Sequence, residues 1–243
     1  MIVETLSASS IKTFDTCPKK FWAECVKKYF VPTHPKTLRG SCLHYILEKT
    51  VNARLNTPLD LEACGPNFYV EEAIKKYGVD DEGKVDVLNL IRVAKDLGYL
   101  DNLSHVIGCE VSLRFENGGF KFKGFMDRLD IDGDVATIYD LKTSSRKIED
   151  EIDQWQTVMY SVGVRNLYPK VERVKMCYVE LRHCSSVKDL QVIEVPSGHG
   201  VEALLKVAKE IADCPDDSNP KPSALCRFCA HPNCKFKKIM GGR

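Results

Sequence analysis

The sequence predicts an α/β fold: a central mixed β-sheet flanked by helices, with a mainly helical N-terminal region and a cysteine-rich C-terminal tail. Three observations predict it. Apolar residues recur at helical spacing through most of residues 7–98, the period that buries one side of a helix. From residue 106 the pattern changes. Three consecutive segments, 106–116, 120–132 and 134–143, read as strands, and Asn117-Gly118-Gly119 and Asp132-Gly133-Asp134 between them are residue types that close tight hairpins. Beyond them helical and extended segments alternate, which stacks helices against a sheet.

The elements follow in order. A helix is expected over 7–30, capped by Ser7 or Ser9, with Ile11, Phe14, Phe21, Trp22 and Val26 on its apolar side and a kink or break at Pro18. Residues 31–37 read as a loop, and 38–55 as a helix carrying Leu43, Ile46, Leu47 and Val51 on one side. A linker at 56–67 leads to helices at 69–78 and 84–98. After the three strands come a helix over 149–167, strands over 172–182 and 189–195, and a helix over 199–212. The Pro-rich stretch 215–222 ends in the tail. All 243 residues fit a single domain: a helical region 1–100, a sheet core 105–195, and a C-terminal helix and tail 199–243.

Composition narrows the class. With 44% hydrophobic and 28% charged residues the chain can bury a core. It has no apolar run of about 18 residues, and Met1 to Ser10 do not read as a secretory signal. No membrane association is expected, and the expected location is the cytoplasm of a prokaryotic or virus-infected cell. Eleven cysteines, an odd number, suit metal or cluster ligation better than disulfides. The net charge is +1, but it is unevenly spread. Residues 1–54 carry +5, residues 221–243 carry +6, and the middle is acidic. Two basic ends brought together beside acidic residues would suit a nucleic acid; taken alone, the same runs read equally well as solvated faces.

The chemistry concentrates in two strands. In Gly124 to Ile131, regular alternation puts Phe125, Asp127, Leu129 and Ile131 on one face, with Arg128, Asp130 and Asp132 on the other. A carboxylate among apolar neighbours is costly unless a cation compensates it. In Ala136 to Ser144, Ile138, Asp140 and Lys142 share a face. The Asp132–Asp134 hairpin sets the two strands side by side, so Asp127, Asp140 and Lys142 can meet. Two acids near one another are reconciled by a divalent ion. Oxygen donors select Mg²⁺ or Mn²⁺, which can activate water at a phosphate, and the lysine can neutralise the charge that develops. Asp-x-Lys alone is a weak signal, since a surface pair at this spacing arises often by chance.

The ordered set is more specific. Gly124-x-x-Asp127 followed by Asp140-x-Lys142 resembles the PD-(D/E)XK nucleases, in particular their RecB-like branch, and so implies a restriction-endonuclease-like core. Gln156-x-x-x-Tyr160 is similar to the Gln/Tyr motif of that branch, whose residues hold DNA and the active site. Gly40-x-x-x-His44 is similar to its helical histidine motif; taken alone, His44 would read as an ordinary half-buried histidine. The resemblance implies Asp127, Asp140, the Leu141 carbonyl and His44 as metal ligands, and Lys142 as the catalytic lysine. Glu110 is a supporting acid.

Cys226-x-x-Cys229-x4-Cys234 lies in the tail and Cys17-Pro18 near the start. Four thiolates suit either a [4Fe–4S] cluster or a structural zinc, and His231 keeps a Cys₃His zinc site open. Together with the opening Leu6 to Trp22, this spacing resembles the iron–sulfur subset of RecB-like nucleases, which includes the AddB helicase–nuclease and the CRISPR-associated single-strand exonucleases. The resemblance implies a [4Fe–4S] cluster on Cys17, Cys226, Cys229 and Cys234. It also implies DNA, single-stranded or with free ends, as substrate, exonuclease activity on it, and a helicase or integrase-type protein as a possible partner. The alternative is a DNA-binding adaptor in a recombination or CRISPR adaptation complex. No phosphate-binding Gly-x4-Gly-Lys-Ser/Thr loop is present, so unwinding would need a partner.

Overall fold

The computed structural model describes residues 4–30, 33–57, 65–101, 103–145, 147, 154–214 and 220–239. Helix α1 (Ala8–Thr16) begins at Ser7, whose hydroxyl accepts the Ser10 amide while Ser10 reciprocates to the Ser7 amide, a capping box. The predicted helix over 7–30 is broken. Cys17 is extended (φ −167°, ψ 114°) and Pro18 opens α2 (Pro18–Phe21), which runs on as a π-helical turn over Trp22–Val26. A residue before proline avoids the helical region, and proline is tolerated at a first helical position.

Helix α3 (Pro35–Asn56) starts three residues before the predicted 38, because Pro35 again takes the first position and His34 Nδ1 accepts the Lys36 amide. Then come α4 (Asn67–Tyr77) and α5 (Asp81–Asp96). The latter starts three residues earlier than expected, where the Asp80 carboxylate accepts the Gly83 amide. Most of the predicted linker, 58–64, and the predicted helix start at 149–153 lie outside the described residues.

Strands β1 (Val106–Asn117), β2 (Phe120–Asp132), β3 (Val135–Lys142), β4 (Arg173–Glu180) and β5 (Gln191–Val195) form one sheet in sequence order. All neighbours are antiparallel except β3 and β4. That parallel pair needs a crossover, which contains α6 (Trp155–Leu167). Gly118, Gly119 and Gly133 adopt positive φ in the two hairpins, the conformation these turns demand. Leu6 pairs with β2 through Lys121 and Lys123, each bond 2.8 Å, a contact with no signal in the sequence pattern. Helix α7 (Val201–Asp213) follows, and α8 (Lys235–Ile239) closes the tail.

The sheet separates two cores. On one face Ile11, Phe14, Phe21, Met159, Val164, Leu204 and Ile211 cover Leu113, Met126, Ile138 and Met176. On the other, Leu43, Ile46, Leu47, Val87 and Ile91 cover Cys109, Leu141, Cys177 and Val179. Strand β4 alternates between them and is buried on both sides, as a strand in parallel pairing usually is. Among the described residues no helix is long and apolar enough to cross a membrane.

Candidate active site

The β2–β3 ladder runs from Asp132–Val135 to Arg128–Tyr139 and stops there. The strands part at Asp127 and Asp140. Asp127 Oδ2 accepts the Leu141 amide at 2.6 Å, so a side chain takes the place of a ladder carbonyl. Leu141 thus meets Asp127 through its N–H.

Regular alternation through β2 does not hold. Met126 and Leu129, three residues apart, both lie in the core beneath α6. Arg128 between them packs against the rings of Tyr99 and Tyr139 on the opposite side (5.5 and 5.0 Å to the guanidinium carbon) and pairs with Asp130 at 2.7 Å. The face therefore reverses next to Asp127, and Leu129 and Ile131 do not share the side of Phe125 and Asp127. The cause lies across the ladder. Glu110, set between the paired Cys109–Arg128 and Val111–Met126, has φ +50°. This left-handed conformation is uncommon outside glycine and turns the strand over.

That inversion brings Glu110 to Asp127. His44 Nδ1, on α3, lies 3.0 Å from Asp127 Oδ1 and 3.8 Å from Glu110 Oε1. One ligand atom from each of the three falls within 4.8 Å of the others. Burial alone would lower the His44 pKa, but the Asp127 and Glu110 carboxylates raise it to about 10. Glu48, one helical turn from His44, is also raised, by burial and then by the Glu110 charge. Such a pocket holds a positive charge, here the imidazole proton. Two carboxylates and an imidazole suit a hard or borderline divalent ion, so the donors fit a metal.

Asp140 stands outside this trio and on the α6 side. It is 3% exposed. Its Oδ2 lies 2.7 Å from Lys142 Nζ without an aligned hydrogen bond. Gln156 on α6 donates to Asp140 Oδ1 (3.0 Å) and accepts from Lys142 Nζ (2.8 Å). Burial pushes the Asp140 carboxyl well above the usual range; Lys142 opposes this and Asp127 adds to it. Tyr160 donates to the Phe125 carbonyl at 2.7 Å, so it holds the backbone of β2. Glu110, expected from the sequence as a supporting acid, stands with His44 and Asp127. A cleft of about 1310 Å³ opens over the site, lined by His44, Glu110, Leu141 and Lys142 with Lys36, Arg39, Lys49, Lys76 and Arg182 on its walls.

At the other end, Cys17, Cys226, Cys229 and Cys234 are buried and line one small pocket. The break before Pro18 turns Cys17 toward the tail, where its sulfur accepts the Lys221 amide at 3.4 Å, and the Cys226 sulfur accepts the Ser223 amide at 3.3 Å. Burial pushes the Cys229 thiol up, and the neighbouring Glu24, Cys17 and Cys234 add to this against a hydrogen bond from the His231 amide. The His231 ring sits edge-on to Tyr29 and its Nδ1 accepts the Asn233 amide.

Comparison with known proteins agrees with this architecture. A family model described as the PD-(D/E)XK nuclease superfamily matches residues 5–234. No curated protein matches. The crystal structure of a candidate exonuclease from Eubacterium rectale is 17% identical, with a TM-score of 0.58 over 99% of this chain and 94% of that one; at this identity the likeness is one of fold. The structure of SSO0001 is 14% identical, with a TM-score of 0.36 over 88% of this chain and 98% of that one, and carries no argument. A match to the family model over nearly the whole length decides the assignment: the chain belongs to the PD-(D/E)XK nuclease superfamily.

Proposed function

We propose that this protein hydrolyses DNA phosphodiesters with Mg²⁺ or Mn²⁺, acting from the ends of single strands, and that Cys17, Cys226, Cys229 and Cys234 hold a structural [4Fe–4S] cluster. The observation that carries the catalytic reading is the fork between β2 and β3. There His44, Glu110 and Asp127 converge on one side and Asp140, Lys142 and Gln156 interlock on the other.

His44, Glu110 and Asp127 would hold the ion, with Asp140 as a further carboxylate beside it. A bound divalent ion lowers the pKa of water and offsets charge on the phosphate. The remaining work belongs to the chain. Lys142, 28% exposed at its side chain, reaches the cleft and can hydrogen-bond the attacking water or a phosphate oxygen. Gln156 keeps the ammonium beside Asp140 instead of letting it swing into solvent. Tyr160 holds the strand that carries Asp127. Water oxygen bonds to phosphorus and releases a proton, the bond to the sugar oxygen breaks, and that oxygen takes up a proton in exchange, leaving a phosphate monoester and a free hydroxyl. Lys36, Lys49 and Lys76 on the cleft walls are suited to backbone phosphates.

Support for ligation at this site comes from convergence: four cysteines, one of them more than two hundred residues from the others, are buried around one small pocket. Four thiolates suit a cluster or a zinc alike, and the cluster is preferred on the resemblance of their spacing to the iron–sulfur subset of RecB-like nucleases.

The test uses end-labelled single-stranded, duplex and circular DNA with Mn²⁺. Mononucleotide or short products from linear single strands, with circles intact, are expected. Cleavage of circles would make the enzyme an endonuclease, and DNA binding without cleavage would leave a binding module.

A further inference from the structure

We infer that Phe125 is a base-stacking platform that makes the site selective for unpaired nucleotides; the inference rests on the nuclease reading above. Phe125 sits in the middle of β2, two residues before Asp127 on the same face, yet it is 53% exposed and lines the cleft with His44, Glu110 and Lys142. A scattered apolar residue on a surface needs no explanation. An aromatic ring left uncovered in a cleft beside a cluster of carboxylates, at the end of an exposed run whose other members on this face are the lysines Lys121 and Lys123, is a different case.

The ring cannot withdraw. Gly124 and Met126, its neighbours, occupy the opposite side of the strand. Met126 is fully buried, and Gly124 is pressed so closely onto α6 that a Cβ there would lie 2.6 Å from the Tyr160 ring. The Phe125 carbonyl is held by the Tyr160 hydroxyl. The backbone that carries the ring is thus fixed, the α6 side of the strand is already filled, and the ring lines the cleft. It offers a π-face and no hydrogen-bonding group.

A π-face recognises any nucleobase by stacking, without reading its sequence. Bases inside a duplex are already stacked and do not present their faces, whereas splayed or terminal bases do. The ligand class is therefore the unpaired nucleotide next to the cleaved phosphate.

The experiment measures kcat/KM with Mn²⁺ on a labelled single strand and on the same strand carrying one abasic residue, moved position by position along it. For the wild-type protein, one abasic position should lower kcat/KM about tenfold or more, the scale of losing one base–aromatic stack. Phe125→Ala and Phe125→Leu should lose a similar factor on the intact strand and nothing further on that abasic strand. Phe125→Trp should retain the wild-type preference. If Phe125→Ala and the wild-type protein respond alike to the abasic position, or if Phe125→Ala shows no loss on the intact strand, the stacking assignment is overturned while the nuclease reading stands. If the wild-type protein cuts no strand at all, both readings are overturned together.

Discussion

Glu110 holds a left-handed backbone conformation in the middle of a strand, a strain worth about 1–3 kcal/mol for a residue with a side chain. Nothing in its sequence neighbourhood announces this, because φ is set by the ladder and the helix packed on it. The strain aims a carboxylate at His44. Glu110→Gly is therefore expected to leave the thermal midpoint unchanged or raised while weakening Mn²⁺ binding at least tenfold, read by calorimetry and by titration. The spacing of Asp127, Asp140 and Lys142 along two neighbouring strands is local and stands in the sequence; that Asp127 groups with His44 and Glu110 while Asp140 and Lys142 pair with Gln156 does not. Replacing the ammonium, Lys142→Ala, should reduce cleavage by about 100-fold or more with DNA binding largely kept, as measured by anisotropy. His44 sets a pH dependence. Its raised pKa stabilises the metal-free protein fully below its ordinary 6.5, and that contribution is lost as pH rises through about 10. A metal ligand must shed this proton. Mn²⁺ affinity is therefore expected to increase with pH across the same window, with proton release measurable by calorimetry in buffers of different ionisation enthalpy.

At the scale of elements, α6 does two things at once. Its apolar side seals the sheet, and Gln156 and Tyr160, four residues apart, reach the fork and the strand beside it. Gly124 is what lets the helix approach: a Cβ there would meet Tyr160 at 2.6 Å and Met159 at 2.9 Å. Gly124→Ala should cost about 1–3 kcal/mol by overpacking, read as a lower denaturation midpoint, and should disturb cleavage through the displaced Tyr160. The break between α1 and α2 was readable from Pro18, because proline acts on its immediate neighbours whatever the surroundings. The early starts of α3 and α5 were less so. They depend on His34 and Asp80 accepting amides, and periodicity of apolar residues does not report a cap.

Over the whole molecule, Cys17 and the tail sit together although more than two hundred residues separate them. Joining such distant points reduces the freedom of the unfolded chain by roughly 5 kcal/mol in a cross-link model. On the proposed cluster, Cys229→Ala is accordingly expected to lose bound iron and brown colour, and to unfold several degrees earlier, checked by metal analysis and thermal scans. A colourless protein with one zinc after anaerobic purification would count against the cluster. By itself the sequence determined the layer order, the strand pairing through its hairpins, the family, and the acids and lysine two residues apart, because each of these is written in short-range spacing. Only the tertiary structure decided that Glu110 joins His44 and Asp127, that β2 reverses its face there, and that Phe125 stays uncovered. Those outcomes depend on a helix, two strands and a strained peptide unit meeting from distant parts of the chain, and no local pattern encodes that meeting.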